Sequence, residues 1–178
     1  TQDKSFEKKD IYIEDGRFVS PNAYTEDKAD VIDAEGQFGL PGLIDIHSHG
    51  AVGCDFSDGD KGGVKKILAY ERAHGITTYC PTSMTLPQET LETAYASLDD
   101  PSFFHLANVR TDQPASGQNP VESGYARIAG INMEGPFISA SKKGAQAEEN
   151  ILQCDYEYFC RLQKAAKGLI KLVDLAPE

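Results

Sequence analysis

Two histidines and a glutamate stand where apolar runs of the sequence end. His47 and His49 close the segment that opens at Pro41, and Glu134 closes a second apolar run, residues 128–133. Side chains at i and i+2 of a β-strand lie on one face, so the two imidazoles would point the same way. Neutral imidazole and carboxylate are the usual protein ligands of zinc and iron. The three residues therefore predict a metal site, which indicates an enzyme.

Each of these residues also has an ordinary structural explanation. A single histidine on a strand is most often a core or surface residue, and Glu134 could cap a helix. The i, i+2 spacing after Pro-Gly-Leu-Ile-Asp favours a ligand role for His47 and His49. Glu134 precedes Gly-Pro, a poor context for a cap, which favours a ligand there too. Asp45, one layer below His47, is expected to be structural or to support a ligand from behind.

Length and composition limit the possible functions. The 178 residues suffice for one good core but not for two large domains. A net charge of −11 argues against general binding to nucleic acid or anionic membranes, but leaves room for a small anionic substrate. No apolar run reaches the roughly 18 residues of a membrane span. The four cysteines have no C-x-x-C spacing, which indicates reduced thiols and a cytoplasmic protein.

The first part of the chain is expected to be all-β. Apolar residues on both sides of Asp15-Gly16 predict a hairpin between residues 11–13 and 17–19. Further short strands are predicted at 31–34 and around 37–38. The pattern changes at Leu40, so we expect one unit at residues 1–39 and a second at 40–178.

From Leu40 onward, predicted strands alternate with predicted helices. One predicted helix ends before Gly75, and a second begins at Pro87. A third runs from a cap at Asp155 to Gly168. The apolar runs that predict strands are 43–46, 76–80, 128–133 and 169–175. This alternation predicts right-handed βαβ units and a parallel sheet. The sheet could be a small open one or half of a (β/α)8 barrel, whose active site lies at the carboxyl ends of the strands.

Strand parity assigns the two faces of the predicted sheet. His47 and His49 share one face of the first long strand, and Ile44 and Ile46 take the opposite face, which we expect helices to cover. Glu134 ends the third predicted strand, so it should reach the same edge of the sheet as the histidines.

The run Leu40-Pro41-Gly42-Leu43-Ile44-Asp45-Ile46-His47-Ser48-His49-Gly50 resembles the amidohydrolase superfamily of metal-dependent (β/α)8 hydrolases. Further motifs narrow the resemblance to the N-acetylglucosamine-6-phosphate deacetylase family. They are Pro-Thr-Ser-Met-Thr at 81–85, Glu-Gly-Pro-Phe at 134–137 and Lys-Lys-Gly-Ala-Gln at 142–146. The resemblance extends over residues 11–178, nearly the whole chain.

The resemblance implies an α/β fold class, a partial (β/α)8 TIM barrel (strands 1–4) preceded by a small β-sandwich segment. Residues 1–39 would be the sandwich segment, and residues 40–178 the N-terminal half of the catalytic barrel. Enzymes of this family are longer, and their remaining metal ligands and catalytic aspartate would lie beyond Glu178. No catalytic residue is therefore expected within this chain, and the chain alone is expected to be inactive.

The resemblance also implies a reaction and a set of site residues. The reaction would be metal-dependent hydrolysis of the N-acetyl group of N-acetylglucosamine 6-phosphate, giving glucosamine 6-phosphate and acetate in amino-sugar catabolism. Glu134, His47 and His49 would hold one or two divalent ions (zinc, iron or manganese) per subunit. Ala145 and Gln146 would line the substrate. The full-length family enzyme would be a homodimer.

Two alternatives remain open at the level of the sequence. A sister amidohydrolase, such as N-acetylgalactosamine-6-phosphate deacetylase or a cyclic amidase, would carry the same metal motif. The sugar epimer is decided by hydroxyl contacts that no motif here reveals. A fragment that binds metal without catalysis is the alternative of a different class.

Overall fold

The computed structural model describes residues 5–14, 17–23, 31–104 and 124–177. Over these ranges the chain divides into two compact units, Thr1–Phe38 and Gly39–Glu178. The division falls next to the change of pattern at residue 40. The assignment of the first unit to a sandwich and of the second to half a barrel stays a prediction.

The first unit contains a β-hairpin. Strand β1 (Tyr12–Glu14) pairs antiparallel with strand β2 (Arg17–Val19), which confirms the predicted pairing. The predicted turn, Asp15-Gly16, lies outside the described residues. A short 3-10 helix, Pro21–Ala23, follows the hairpin.

The short strands predicted between residues 31 and 38 are wrong. The carboxylate of Asp33 accepts the backbone N–H of Glu35 at 3.0 Å, and the N–H of Gln37 donates to the carbonyl of Ala34 at 3.0 Å. An aspartate that bonds its own backbone two residues on offers the chain a turn in place of a strand ladder. The apolar residues of this segment therefore lie around a local turn and not in strands of a sheet.

The second unit is built on a parallel sheet. Its strands are β3 (Leu43–Ser48), β4 (Gly50–Ala51), β5 (Cys54–Asp55), β6 (Ile76–Ser83), β7 (Arg127–Ile128), β8 (Ile131–Glu134) and β9 (Ile170–Asp174). Within the described ranges the main order is β3-β6-β8-β9, and every neighbouring pair is parallel. β7 also pairs with β6, and β4 and β5 form a small antiparallel hairpin. The predicted α/β class with a parallel sheet is confirmed.

Helices alternate with the long strands as predicted. In the described part of the chain they are α1 (Lys61–Ala73), α2 (Gln88–Ala96) and α3 (Tyr156–Ala165). Asp60 caps α1, and the helix ends before Gly75, whose φ of 87° suits glycine. Asp155 caps α3 through the N–H of Tyr158, as the sequence predicts. Pro87 is the N-cap of α2 rather than its first helical residue, a shift of a single position.

The core lies where the helices pack on the inner strands of the sheet. Its buried members include Val64, Ile67 and Leu68 of α1, Leu91 and Tyr95 of α2, Leu162 of α3, and Tyr79, Ile131, Met133 and Ile170 of the strands. No helix in the described ranges is long and apolar enough to cross a membrane.

Two expectations about the strands are wrong. Ile44 and Ile46 are 66% and 54% exposed rather than covered by helices. The reason is that β3 is an end strand of the described sheet, with β6 as its neighbour on one side. The predicted continuous strand 128–133 is broken into β7 and β8. Its hydrogen-bond partner changes there, since the N–H of Ala129 donates to Tyr79 and that of Ile131 donates to Leu169.

Candidate metal centre

The predicted ligands meet at the carboxyl ends of β3 and β8. His47 lies near the end of β3, His49 follows that strand directly, and Glu134 is the last residue of β8. Parallel strands place their carboxyl ends at one edge of a sheet, where functional side chains collect. One donor atom from each of the three residues lies within 4.8 Å of the other two. The structure thus places close together three residues that the sequence suggests as ligands only from their spacing and position.

One carboxylate oxygen of Glu134 faces both imidazoles. Its Oε2 lies 3.2 Å from Nε2 of His47 and 3.0 Å from Nε2 of His49. This oxygen is buried and has no hydrogen-bond partner among the described residues. A buried carboxylate oxygen without a donor is costly, and a cation would satisfy it. Two nitrogens and one oxygen are a donor set that suits zinc, iron or manganese, so the residues fit a divalent ion.

His49 is oriented by Thr82 of β6. The Thr82 carbonyl lies 3.0 Å from Nδ1 of His49, and the Thr82 hydroxyl accepts the backbone N–H of Ser48 at 3.0 Å. A carbonyl only accepts, so Nδ1 carries a proton, and in the neutral imidazole the lone pair is then on Nε2, the atom that lies 3.0 Å from Oε2 of Glu134. This arrangement is typical of a metal-binding histidine.

Two further side chains fix the backbone of β3 around the ligands. The Tyr79 hydroxyl donates to the carbonyl of Ser48 at 2.9 Å, and burial raises the pKa of Tyr79, so the donor stays protonated. The carboxylate of Asp45 accepts the N–H of His47 at 2.9 Å. Asp45 therefore supports a ligand through the backbone, in line with the structural role expected for it.

His47 has a different environment from His49. Its Nδ1 lies 3.2 Å from Nδ2 of Asn132 and 3.7 Å from Oδ2 of Asp174. The amide nitrogen of Asn132 also donates to the carbonyl of Ile46 at 3.0 Å. Oδ2 of Asp174 and Oδ1 of Asn132 are buried, and neither has a hydrogen-bond partner within the ranges described.

Sequence reasoning missed Asp174. It ends β9 and stands opposite Glu134 in the register between β8 and β9. The available signal was its position, because an acidic residue at the end of a predicted parallel strand points to the same edge as Glu134. Thr82 was also missed, because its contribution comes mainly through a main-chain carbonyl.

Thr85 ties the end of β8 to the loop that follows. Its hydroxyl donates to the carbonyl of Glu134 at 3.2 Å, and its N–H donates to Oε1 of Gln146 at 2.7 Å. The carbonyl of Thr85 accepts from the side-chain amide of Asn150 at 3.3 Å. The loop containing Gln146 is thereby held next to Glu134.

The two residues expected to line the substrate differ in exposure. Gln146 is 4% exposed, and its amide nitrogen lies 3.7 Å from the sulfur of Met84. Ala145 is exposed. Their contact with a substrate stays a prediction, and the structure gives the Gln146 side chain a definite task in holding Thr85.

An open cavity of about 380 Å³ lies beside His49 and is lined by residues 49–55 and Asp58. Its wall includes the β4–β5 hairpin, whose turn residues Val52 and Gly53 have φ values of 49° and 75°. Positive φ at both positions matches the two-residue turn that fits the twist of a hairpin. The cavity therefore lies on the His49 side of the candidate metal centre.

The fold and the donor set define the class: an α/β protein with a candidate divalent-metal centre at the carboxyl ends of a parallel sheet. No family model matches the chain. The particular resemblance is to N-acetylglucosamine-6-phosphate deacetylase. The Bacillus subtilis enzyme of that name is 34% identical over 139 residues, which are 78% of this chain and 32% of the relative. The Bos taurus enzyme is 29% identical over 183 residues, covering 96% of this chain and 40% of the relative.

Solved structures of the same enzyme are also similar. A mutant of the Mycobacterium smegmatis deacetylase in complex with N-acetyl-D-glucosamine-6-phosphate has a TM-score of 0.60 and 29% identity, covering 78% of this chain and 31% of that chain. The Pasteurella multocida deacetylase has a TM-score of 0.57 and 25% identity over the same shares. These findings confirm the resemblance predicted from the motifs. The chain spans 32% to 40% of the length of the two sequence relatives described above.

Proposed function

We propose that this chain supplies part of the metal centre of an enzyme that hydrolyses the N-acetyl group of N-acetylglucosamine 6-phosphate, releasing acetate and glucosamine 6-phosphate. The observation that carries the proposal is that Nε2 of His47 and Nε2 of His49 both face one carboxylate oxygen of Glu134. This oxygen is buried and has no hydrogen-bond partner among the described residues. The setting of this group, in a chain similar to deacetylases over most of its length, supports the same reaction.

The residues of this chain have distinct tasks in the proposed reaction. Glu134, His47 and His49 would hold one or two divalent ions, either zinc, iron or manganese. An ion bound there would lower the pKa of water and polarise an amide carbonyl. Thr82 keeps the lone pair of His49 directed at the centre, and Asp45 fixes the backbone of His47. No residue of this chain is assigned as the general acid or base.

The proposal also includes the barrel and sandwich architecture, the cellular compartment and the oligomeric state. Residues 40–178 would form strands one to four of a (β/α)8 barrel, which the parallel order of β3, β6, β8 and β9 supports. Residues 1–39 would be part of a β-sandwich. The complete enzyme would be a cytoplasmic homodimer. The four cysteines of this chain, Cys54, Cys80, Cys154 and Cys160, are unbridged, which agrees with a reducing compartment.

We expect the complete enzyme to release acetate from N-acetylglucosamine 6-phosphate at least about tenfold faster than from plain N-acetylglucosamine. A phosphate held by charged or backbone donors supplies binding energy, of about 1.5–3 kcal/mol per such hydrogen bond, that can position the amide. The measurement is kcat/KM for both sugars, before and after removal of metal with a chelator. The galactosamine epimer is assayed in parallel.

Equal rates on the phosphorylated and plain sugars would exclude the phosphosugar assignment. A faster reaction on the galactosamine epimer would transfer the proposal to that substrate. Activity that survives complete removal of metal would reject the metal centre itself.

We further propose that Ala145 and Gln146 line the substrate, Ala145 through its backbone. In the complete enzyme, replacing Gln146 by alanine should lower kcat/KM about 5- to 10-fold without loss of metal, because about 1 kcal/mol of hydrogen bonding to the substrate is lost. The measurements are kcat/KM and elemental analysis. Gln153→Ala, at an exposed glutamine farther along the chain, is the matched control and should leave both unchanged. Metal loss in Gln146→Ala would show that this loop serves Glu134 rather than the substrate.

A further inference from the structure

The Nδ1 atom of His47 lies between two groups of opposite hydrogen-bonding character. Nδ2 of Asn132, at 3.2 Å, is a donor, whereas Oδ2 of Asp174, at 3.7 Å, is an acceptor. The bond from Asn132 to the carbonyl of Ile46 fixes which amide atom is the nitrogen, because two carbonyl oxygens cannot bond each other. The choice between these two neighbours decides where His47 carries its proton.

The two choices have opposite consequences at Nε2, which faces Glu134 at 3.2 Å. If Asn132 donates to Nδ1, the imidazole proton sits on Nε2 and blocks the lone pair that a metal ion would use. If Nδ1 carries the proton, Nε2 is free to bind, and Nδ1 needs an acceptor. Asn132 offers only a donor at that position, and the acceptor that the described residues place near Nδ1 is Oδ2 of Asp174, at 3.7 Å.

We propose that Asp174 is a positioning residue of the metal centre, which takes the Nδ1 proton of His47 and so directs the Nε2 lone pair towards Glu134. This inference rests on the proposed metal centre. The Thr82 carbonyl does the same for His49 from a distance of 3.0 Å, so each histidine has its own acceptor behind it.

Three features of Asp174 support this role. Its Oδ2 is buried and has no hydrogen-bond partner in the described ranges, so its capacity to accept is unused. It stands opposite Glu134 in the strand register, on the edge where the ligands lie. The side chains of Asp174 and His47 are 46% and 47% exposed, which leaves room for the roughly half-ångström approach that a hydrogen bond requires.

The test compares Asp174→Asn and Asp174→Glu with the unaltered protein, with zinc as the probe. Asp174→Asn offers a donor to Nδ1 in place of the acceptor, so we expect the zinc dissociation constant to rise about 10- to 100-fold. Asp174→Glu restores a carboxylate and should recover most of the affinity. Asp99→Asn is the matched control, since Asp99 is a carboxylate of similar exposure, at 39%, whose partner is Lys61, and it should leave zinc affinity unchanged.

A second readout does not depend on metal or substrate. Nitrogen-15 NMR of the metal-free protein reports the tautomer of His47, and with four histidines in the chain a His47→Gln variant assigns its signals. We expect a larger share of the Nδ1–H form in the unaltered protein than in Asp174→Asn, where the Nε2–H form should predominate. Thermal melting checks that each variant is folded.

The outcomes separate this inference from the proposed function. Unchanged zinc affinity in Asp174→Asn, together with an unchanged His47 tautomer, would overturn the role of Asp174 and leave the deacetylase proposal standing. A protein that binds no divalent ion would defeat the proposed function. The tautomer shift between the unaltered protein and Asp174→Asn would still decide whether Asp174 positions His47.

Discussion

In the complete enzyme proposed above, replacing Glu134 by glutamine is expected to remove most of the bound metal and to lower the rate of the proposed deacetylation by at least about 100-fold. The Oε2 atom of Glu134 lies 3.0–3.2 Å from both histidine nitrogens, so the substitution removes the single negative charge at the point where the donors converge. Loss of a group behind a ligand already costs about 10- to 100-fold in metal affinity, and loss of the ligand itself should cost more. Elemental analysis and steady-state rates measure the two effects.

The stability of the metal-free protein provides the control. In the part of the chain that the structure describes, the polar contacts of Oε2 are the two imidazole nitrogens, so removing its charge should lower the free energy of unfolding of the metal-free protein by no more than about 1 kcal/mol. Glu148→Gln, at an exposed glutamate after the same strand, should leave metal content and rate unchanged. If Glu134→Gln retains both its metal and its activity, Glu134 is not a ligand.

The candidate ligands could be predicted because their signals are local. His47 and His49 share a face through the two-residue period of a strand, and Glu134 ends an apolar run before Gly-Pro. Asp174 and Thr82 could not be found in this way. Their roles depend on which strands are neighbours and in which register, as in the pairing of Glu134 with Asp174. Pairing between segments far apart in the chain cannot be predicted from the local sequence pattern.

In the fold, too, the features set by nearby residues were predictable, and those set by distant neighbours were not. The helix ends at Asp155 and Gly75 were predictable, because capping is decided within a few residues. The exposure of Ile44 and Ile46 was not, because an apolar residue on a strand is covered only if a neighbouring element reaches it. At Asp33 a local turn outweighed an apolar pattern, which shows that short apolar runs do not by themselves determine a strand.

The conformation at Gly135 links the fold to the metal centre. Gly135 follows Glu134 directly and has a φ of 79°, a left-handed conformation. A Cβ at this position would overlap Oγ1 of Thr85, and Thr85 is 1% exposed, so its side chain has little room to move. The same hydroxyl donates to the carbonyl of Glu134 at 3.2 Å. Any side chain at position 135 must therefore displace the group that holds the ligand strand.

We expect Gly135→Ala to lower the free energy of unfolding by about 2–5 kcal/mol and to reduce the bound metal. The left-handed backbone contributes about 1–2 kcal/mol of this, and the overlap with Thr85 contributes about 1–3 kcal/mol. Urea unfolding of the metal-free protein measures the stability, and elemental analysis measures the metal.

Gly144→Ala is the matched control for the backbone contribution, since Gly144 also has a positive φ, 59°, but a Cβ there would meet nothing within 4 Å. It should cost only about 1–2 kcal/mol and leave the metal in place. In a double-mutant cycle, Thr85→Ala should partly rescue Gly135→Ala, because it removes the overlapping oxygen and leaves the Thr85 Cβ at 3.2 Å. If Gly135→Ala is no worse than Gly144→Ala, and Thr85→Ala gives no rescue, then the contact between Thr85 and Gly135 does not hold Glu134 in place.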